Sequence, residues 1–311
     1  MALKIVALVG GVGGAKLAHG LAQVLPPENL TVVVNTGDDF WHYGLRICPD
    51  FDTVMYTLGG VVDPVNGWGV CGDTVAMLSA LERYGETPWF RLGDQDLATH
   101  LLRTEALHHG ERLTTIMQRL TKALGIHSSI LPMTDDEVST IVDTVEYGRL
   151  SFQDYFVRYR WQPTVRSLTY DGVERATVTS EVAHAVAQAD AIMIGPSNPW
   201  LSLAPMLSMP GLREALLTRD IPRIAITPIV GGKAIKGPAA KLMAELGYEV
   251  SAQSVAEFYR EYINGFIYDQ VDINFIRPDV RYLLTNTIMQ TDADRAVLAQ
   301  QALTWIESEL L

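Results

Sequence analysis

Four carboxylates lie within fifteen positions of the chain, in the stretch NTGDDFWHYGLRICPDFDT at residues 35–53. They are Asp38, Asp39, Asp50 and Asp52. A β-branched run typical of a buried strand, residues 31–34, comes directly before them. Adjacent like charges near a protein surface repel one another by about 4 kcal/mol at intermediate dielectric. A fold tolerates this repulsion when a cation lies among the acids, or when they point apart into water.

Magnesium is the cation that suits such a group, because it binds one or two carboxylates and fills its other positions with water and substrate phosphate. Asp38 and Asp39 follow the second predicted strand, where doubly wound sheets place their ligands. Asp50 and Asp52 would lie on one side of a locally extended segment. We therefore expect the four acids to form a Mg²⁺ site. The alternatives are a capped loop with solvated acids, or a dinucleotide site in which Asn35 or Asp38 holds ribose hydroxyls.

A second group of candidate residues is the glycine turn LVGGVGGAK at residues 8–16, with Gly10, Gly11, Gly13 and Gly14. The missing side chains would let backbone N–H groups and the positive end of a helix approach a phosphate. The pattern is neither GxGxxG nor a Walker A loop, because Lys16 stands where the third glycine would be. Lys16 would supply a cation to a diphosphate. The alternative is a tight strand–helix turn with a solvated lysine.

Two further polar loops follow later predicted strands. IGPSNPWLSLAPML at residues 194–207 carries Ser197 and Asn198, and TPIVGGKAIKGPAAKLM at residues 227–243 carries Thr227, Gly231, Gly232, Lys233 and Lys236. The alternative is that each loop is a capped turn between a strand and a helix and binds no ligand. The loop at residues 227–243 nevertheless repeats the glycine and lysine of the turn at residues 8–16, and two such loops in one sheet favour an elongated, polyanionic ligand.

The elements that would position these residues are typical of an α/β protein. Residues 4–9 and 31–34 are strand-like and flank a helical segment, an order that predicts a parallel sheet. Three helical segments follow, then a hairpin with Tyr147 and Gly148 near its turn, before the sheet pattern resumes. We predict a doubly wound, mostly parallel, Rossmann-like sheet from residues 1–68 and 165–311. A mostly helical inserted subdomain would occupy residues 69–164.

Composition limits the classes of function. The 311 residues are 48% apolar and 19% charged, with a net charge of −12, so no attraction to nucleic acid or to an anionic membrane is expected. The N-terminal apolar run is short and ends in glycines, and no apolar stretch reaches about 18 residues, which predicts a cytoplasmic protein. Cys48 and Cys71 form no CxxC pair, and we expect both to be buried as small apolar residues.

Together these stretches resemble, in order and across nearly the whole chain, the 2-phospho-L-lactate transferase family of deazaflavin coenzyme F420 biosynthesis. The most specific elements are PDFDT at residues 49–53, GDQDLATH at 93–100 and GPSNP at 195–199. The resemblance implies a doubly wound core, an inserted subdomain, a homodimer and a need for Mg²⁺. It also implies the reaction. The ribityl 5′-hydroxyl of the deazaflavin FO attacks a phosphoryl group of a guanylylated three-carbon acid, and GMP is released.

The resemblance also suggests roles for individual residues. The donor diphosphate and guanosine would contact Gly10, Gly11, Gly13, Gly14, Lys16, Ser197, Asn198, Thr227, Gly231, Gly232 and Lys233. FO would contact Asn35, Thr36, Trp41, Asp52, Trp68, His100 and Arg103. The four acids would divide metal binding from orientation of the ribityl chain, with Asp50 or Asp52 nearest the attacking hydroxyl. Gln95 departs from the family pattern, since many relatives have arginine there, and Arg91 or Arg103 would have to replace it.

Two other readings remain open at this point. A non-catalytic, nucleotide-sugar-binding regulator of the gluconeogenesis-factor type would share this core and keep the glycine loops, but it would not need the PDFDT acids. A nicotinamide oxidoreductase is disfavoured by the missing third glycine. The residues do not distinguish phospholactate, phosphoenolpyruvate and phosphoglycerate as the acid transferred.

Overall fold

The computed structural model describes residues 2–272 and 280–311. The strands and helices in these ranges are, in chain order, β1 (Ile5–Val9), α1 (Gly11–Val24), β2 (Leu30–Val34), β3 (Phe40–His42), β4 (Leu45–Ile47), α2 (Pro49–Leu58), α3 (Ala76–Arg83), α4 (Asp96–His108), α5 (Leu113–Ala123), β5 (Ser129–Pro132), β6 (Ser139–Thr144), β7 (Gly148–Ser151), β8 (Val165–Asp171), α6 (Ser180–Gln188), β9 (Ala191–Ile194), α7 (Ala204–Ser208), α8 (Pro210–Leu217), β10 (Arg223–Ile226), β11 (Ile229–Val230), β12 (Lys233–Ala234), α9 (Ala239–Glu245), α10 (Ala252–Phe258), β13 (Gly265–Asp269), β14 (Arg281–Thr285) and α11 (Asp292–Trp305). Short 3₁₀ or π-helical turns cover Pro27–Asn29, Asp154–Arg158, Pro199–Leu203 and Ile306–Leu310.

Seven of the strands form one parallel sheet in the order β5-β2-β1-β9-β10-β13-β14. Numbered along the chain, this order is 3-2-1-4-5-6-7, the doubly wound Rossmann arrangement. The predicted fold class is therefore confirmed. The strand order reverses between β1 and β9, and ligands of such sheets bind in the crevice at the carboxyl ends of the strands beside that point. The loops that follow β1 and β9 are residues 10–14 and 195–198.

Both faces of the sheet are covered, as a parallel sheet requires. Ile5, Ala7 and Val9 of β1 pack with α1, α2 and α11 on one face. Val6 and Leu8 pack with α6, α8 and α9 on the other face. Successive side chains of a strand point to opposite faces, so a strand buried on both sides needs a continuous apolar run, which β1 has.

The range 69–164, predicted to be a mostly helical insertion, contains α3, α4 and α5 and also a strand of the main sheet. This strand, β5, pairs in parallel with β2 at the sheet edge. It is four residues long and ends in Pro132, so its sequence gives little strand signal, and a proline is tolerated there because the strand lies at the edge. The predicted hairpin is confirmed, with a turn between β6 and β7, and β8 completes a small antiparallel sheet. The division into two domains stays a prediction.

Two smaller expectations can be compared with the structure. Within residues 2–272 and 280–311, no helix has both the length and the apolar character needed to cross a bilayer. Cys48 is buried as expected, whereas Cys71 is exposed, so that expectation was wrong for Cys71. Cys71 lies in the irregular segment between α2 and α3.

Candidate active site

The turn between β1 and α1 is built for close approach of other elements. A Cβ atom on Gly10 would lie 2.4 Å from Asp50 Oδ2, and one on Gly14 would lie 2.5 Å from Ser197 Oγ. A Cβ atom on Gly13 would lie 2.3 Å from a backbone oxygen of the loop after β9. The glycines therefore allow the start of α2 and the loop after β9 to contact the N-terminus of α1 directly. The sequence prediction of a turn without side chains at this place agrees with that packing.

The helix dipole of α1 and two lysines, Lys16 and Lys236, make the surroundings of its N-terminus positive. The first N–H groups of a helix have no partner within the helix and carry part of its dipole. The Lys16 ammonium donates to the Met289 carbonyl at 2.7 Å, and the Lys236 ammonium donates to the Asn66 carbonyl. Burial lowers the pKa of Lys16, and the charges of Arg295 and Lys236 lower it further. Neither lysine forms an ion pair in the part of the chain that the structure describes, so both charges remain available to an anion.

The four acids are all buried, but they do not lie on one side of an extended segment. Pro49 begins helix α2, which places Asp50 and Asp52 in its first turn. Two positions along an α-helix correspond to a rotation of roughly 200°, so the two side chains point in different directions. The expectation that Asp50 and Asp52 share one side was therefore wrong. Asp50 points to the glycine turn, and Asp52 points to α4.

Asp38 and Asp50 form the first of two acid pairs. The Asn35 side-chain amide donates to Asp50 Oδ2 at 3.0 Å. Burial raises the pKa of Asp50 to about 6, although hydrogen bonds with Asn35, the Gly11 backbone and Ser202 lower it. Burial raises the pKa of Asp38 well above its ordinary value, and the charge of Asp50 raises it further. Among the described residues Asp38 Oδ1 has no hydrogen-bond partner, and no basic side chain forms an ion pair with either acid.

Asp39 and Asp52 form the second pair, and two arginines face them. An Arg46 guanidinium nitrogen lies 3.6 Å from Asp39 Oδ2. The Arg103 guanidinium donates to Asp52 Oδ1 and, at 3.0 Å, to the Arg46 carbonyl. Burial raises the pKa of Asp39 to about 7, and Arg46 acts in the opposite direction. The second pair therefore has the positive charges within the protein that the first pair lacks.

A buried polar network continues from Asp52 into α4. His100 Nδ1 lies 3.7 Å from Asp52 Oδ2, and His100 Nε2 lies 3.3 Å from Asp96 Oδ1. The Tyr56 hydroxyl donates to Asp96 Oδ1 at 2.6 Å. The ligand atoms of Asp52, Asp96 and His100 lie within 4.8 Å of one another, but the adjacent Arg103 charge opposes a cation there. His100 and Arg103, predicted as FO contacts, are 1% and 0% exposed and position Asp52.

Asp94 of the GDQD element and Asp73 of the CGDT stretch at residues 71–74 accept hydrogen bonds at the starts of two helices. Asp73 accepts hydrogen bonds of 2.8 and 2.9 Å from backbone N–H groups at the start of α4. Asp94 accepts two of 2.9 Å from backbone N–H groups at the start of α3. Gln95, where the resemblance led us to expect arginine, is exposed. Because Arg103 is fully buried against Asp52, the exposed Arg91 is the better placed of the two suggested replacements.

The other residues predicted to contact the donor make hydrogen bonds within the protein. Ser197 Oγ accepts from the Gly10 N–H at 3.0 Å and donates to the Gly10 carbonyl at 2.7 Å. Asn198 caps the turn Pro199–Leu203, and Thr227 Oγ1 accepts from a backbone N–H two residues later. These bonds brace the loops at the crevice. The Gly231 N–H donates to Asp272 at 3.1 Å, while Gly232 and Lys233 are exposed. A direct contact of these residues with a nucleotide stays a prediction.

The predicted aromatic contacts lie at the protein surface. Trp41 is 47% exposed; its indole N–H donates to Glu137 at 3.0 Å, and the Arg46 guanidinium lies 5.8 Å from its ring centre. Trp68 is 40% exposed. Thr36 is buried, as is Asn35. The His108 ring is stacked on Trp41, with 6.4 Å between ring centres, so Trp41 lies at the surface between His108 and the arginine that faces Asp39.

Comparison with known proteins identifies the family. The sequence profile described as "2-phospho-L-lactate transferase CofD" matches residues 5–311. The chain belongs to the 2-phospho-L-lactate transferase family. One relative is the 2-phospho-L-lactate transferase of Methanosarcina mazei, 41% identical over 85% of this chain and 86% of that protein. Another is the phosphoenolpyruvate transferase of Streptomyces coelicolor, 38% identical over 98% of both chains.

Membership in the 2-phospho-L-lactate transferase family confirms the predicted resemblance and makes the chain an enzyme of a transferase family. The non-catalytic regulator is not favoured. A solved structure of a Bacillus halodurans protein has the same fold, with a TM-score of 0.64, 16% identity and coverage of 98% of this chain and 100% of that chain.

Within this transferase, sequence reasoning missed several residues of the site. Lys236 was noted only as a neighbour of Lys233, although it is the lysine that crosses to the glycine turn. Tyr56 was missed because its partner Asp96 is 40 positions away. Arg46 lies in the same quoted stretch as its partner Asp39, so that pairing was an available signal. Ser202 lies in the quoted stretch that follows β9, so its position in the GPSNPWLS run was an available signal.

Proposed function

We propose that this enzyme transfers 2-phospho-L-lactate or phosphoenolpyruvate from its guanylylated diphosphate form to the ribityl 5′-hydroxyl of FO and releases GMP. The printed names of the relatives support a phospho-acid as the group transferred. The observation that carries the proposal is the pairing of opposite charges at the crevice. Among the described residues, two buried acids that form no ion pair lie beside a helix N-terminus flanked by two lysines that form none either.

The donor diphosphate would lie at the N-terminus of α1. Its backbone N–H groups and dipole attract phosphate oxygens, and Lys16 and Lys236 would add two cations from different sides. Burial and the charge of Arg295 lower the pKa of Lys16, and repulsion from Lys236 lowers it further. An anion between them would relieve that repulsion. A diphosphate carries enough negative charge and length to contact both.

Asp38 and Asp50 fit a bound Mg²⁺. Both are buried, the pKa of each is raised, and Asp38 Oδ1 is without a partner in the described ranges. Two carboxylate oxygens are the protein ligands that this ion commonly takes beside water and phosphate. When bound, the ion would neutralise charge on the diphosphate during transfer. Asp39 and Asp52 are already balanced by Arg46 and Arg103 and would not be needed as ligands.

Asp52 is the acid that would receive the proton of the attacking hydroxyl. Its Oδ2 atom has no hydrogen-bond partner among the described residues, and Arg103 holds its other oxygen. Burial raises the pKa of Asp52, and the charges of Arg103 and His100 act against this rise. The hydroxyl oxygen would form a bond to the phosphorus of the phospho-acid, the bond to the GMP oxygen would break, and the proton would pass to Asp52.

The deazaflavin ring would lie against Trp41, which is 47% exposed and whose indole N–H is held by Glu137. It would take the place of the His108 ring, which stacks on Trp41 with 6.4 Å between ring centres. We also propose that the enzyme acts as a homodimer in the cytoplasm, which rests on the family resemblance and on the composition. Sedimentation at several protein concentrations would test the dimer.

The direct test is a product assay. The enzyme would be incubated with FO, Mg²⁺ and either guanylylated phospholactate or guanylylated phosphoenolpyruvate, and the products identified by mass spectrometry. We expect one phospho-acid–FO conjugate and one GMP per turnover, dependent on Mg²⁺. Tight binding of the donor with no conjugate from either acid would contradict the proposal and favour a binding protein.

A further inference from the structure

A second candidate site begins with an unusual backbone. The π-helical turn Asp154–Arg158 is followed by two residues in the left-handed region, Arg160 with φ of 50° and Trp161 with φ of 48°. Bulky side chains rarely adopt this conformation, and such outliers gather at functional sites. Short π-helical segments do so as well. In the described chain the one other non-glycine residue with positive φ is Tyr43, which follows Trp41 by two positions.

The left-handed pair brings aromatic and cationic side chains to one cavity. Its volume is about 650 Å³, and it is lined by Phe156, Arg160, Trp161, Gln162 and Lys241. Ligand sites for molecules of drug or nucleotide size span roughly 300–1,000 Å³. Trp161 is 40% exposed, so its ring is available for stacking. The cavity therefore has the size and the flat surfaces to accept a planar ring.

The charges of the cavity favour an anion. Lys241 donates to the Pro163 carbonyl at 2.8 Å and to Glu245 at 2.7 Å, so its charge is partly balanced. The Arg160 guanidinium has neither a hydrogen bond nor an ion pair in the ranges that the structure covers. Arg158, two residues earlier, is paired with Asp154 at 3.4 Å. Arg160 is thus a free cation beside an exposed indole, in a protein whose net charge is −12.

We propose that this cavity binds a planar aromatic ring that carries a phosphate, with the ring on Trp161 and the phosphate on Arg160. A guanidinium recognises phosphate through two parallel hydrogen bonds, and an indole stacks on a nucleobase or flavin ring. This site is separate from the one assigned to donor and FO. Arg160 and Trp161 follow the turn Asp154–Arg158, and Gln153 precedes it. The Gln153 side chain donates to the Asp38 carbonyl at 3.1 Å, which connects this segment to the candidate active site.

The test is calorimetric titration of the full-length protein with AMP and with FMN, which offer a nucleobase and a flavin as the ring. Adenosine, riboflavin and inorganic phosphate serve as matched probes that lack one half of the ligand. We expect AMP to bind at least tenfold more tightly than adenosine and inorganic phosphate, or FMN to bind at least tenfold more tightly than riboflavin and inorganic phosphate. Arg160→Gln and Trp161→Leu should each weaken that binding about tenfold. Both positions are exposed, so a thermal melt can show that these variants stay folded.

A control distinguishes this cavity from the candidate active site. Asp50→Asn and Lys236→Ala alter the crevice at β1. For whichever of AMP and FMN binds more tightly, both variants should leave the Kd within twofold of the wild-type value. The proposal is overturned if neither AMP nor FMN binds at millimolar concentration, or if Arg160→Gln and Trp161→Leu bind them as wild type does. Loss of binding in Asp50→Asn with no effect in Arg160→Gln would place the ligand in the crevice and also overturn it.

Discussion

Asn35, directly after β2, donates its side-chain amide to Asp50 Oδ2 at 3.0 Å and thereby connects the end of a central strand to the first turn of α2. The contact orients a buried carboxylate toward the glycine turn, where a Cβ atom on Gly10 would collide with it. Asp50 is therefore held in place by neutral groups, while its charge has no basic partner in the described part of the chain. This is the environment of an acid that binds an ion from solution.

Asp50→Asn should lower kcat at least about a hundredfold, the scale seen when one electrostatic group of a preorganised site is removed. The substitution keeps the shape of the side chain, so circular dichroism should be unchanged. The kcat would be measured in stopped assays with saturating FO over a range of Mg²⁺ concentrations. Glu174→Gln, at an exposed position, is the control. Wild-type turnover in Asp50→Asn would exclude this acid from the site.

The contribution of the buried acids to the stability of the metal-free protein should fall as the pH rises from about 4 to about 7. A carboxyl group whose pKa is higher in the folded state binds its proton more tightly there, so it stabilises the fold at low pH and loses that contribution as it ionises. For Asp50, with a pKa raised from 3.8 to about 6, the loss corresponds to about 3 kcal/mol, and Asp39 acts in the same direction up to about pH 7.

Urea unfolding in EDTA at pH 5 and pH 7.5 would measure this change. Added Mg²⁺ should stabilise the protein more at pH 7.5 than at pH 5, because its ligands must be deprotonated. Asp50→Asn should reduce both effects. A metal-free protein that becomes more stable over this pH range would show that the buried acids are neutralised within the protein.

Arg103→Met should destabilise the fold by about 3–5 kcal/mol, because it leaves Asp52 buried without its partner. The double variant Arg103→Met with Asp52→Asn should recover part of that loss, since the uncompensated charge is gone. Arg103→Lys keeps the charge but not both hydrogen bonds, and should lower kcat with little change in the donor KM. Equal stability of the single and double methionine variants would argue against the Asp52–Arg103 pair.

Lys236→Ala should raise the donor KM about tenfold, since it removes one of two cations at the N-terminus of α1. Both Lys233 and Lys236 are exposed, but the Lys236 ammonium is held at the Asn66 carbonyl, so Lys233→Ala should have a smaller effect. Lys122→Ala at the end of α5 should have none. Initial rates at fixed FO and varied donor would give the three values. A larger effect at Lys233 than at Lys236 would assign the phosphate contact to the other lysine of the loop.

Arg160→Gly should raise the free energy of unfolding by about 1 kcal/mol, because glycine adopts the left-handed region without the cost that other residues have there. Arg166→Gly, at an exposed position of β8, should instead lower it by about 0.5–1 kcal/mol. Chemical denaturation of wild type and of both glycine variants would measure the three free energies of unfolding. A destabilised Arg160→Gly would show that this backbone is not strained.

Local patterns predicted the main elements of the fold and the polar ends of its strands. The apolar runs of β1 and β2 and the glycine turn were readable because each depends on neighbouring residues. The different directions of Asp50 and Asp52 were missed because we expected an extended segment there. Pro49 instead begins a helix, in which positions two apart point in different directions. Arg103, which faces Asp52, comes from α4 and is 51 positions away along the chain, and no local spacing reveals such a contact.

The central claim is that Asp38 and Asp50 bind the metal, opposite a diphosphate at the N-terminus of α1. The most direct measurement is a crystal structure with Mn²⁺ and guanosine diphosphate, using the anomalous signal of manganese to place the ion. The account predicts one manganese peak with a carboxylate oxygen of Asp38 and of Asp50 about 2.2 Å away, and phosphate oxygens within reach of Lys16 and Lys236. A peak bound instead by Asp52, Asp96 and His100, with Asp50 unliganded, would contradict it.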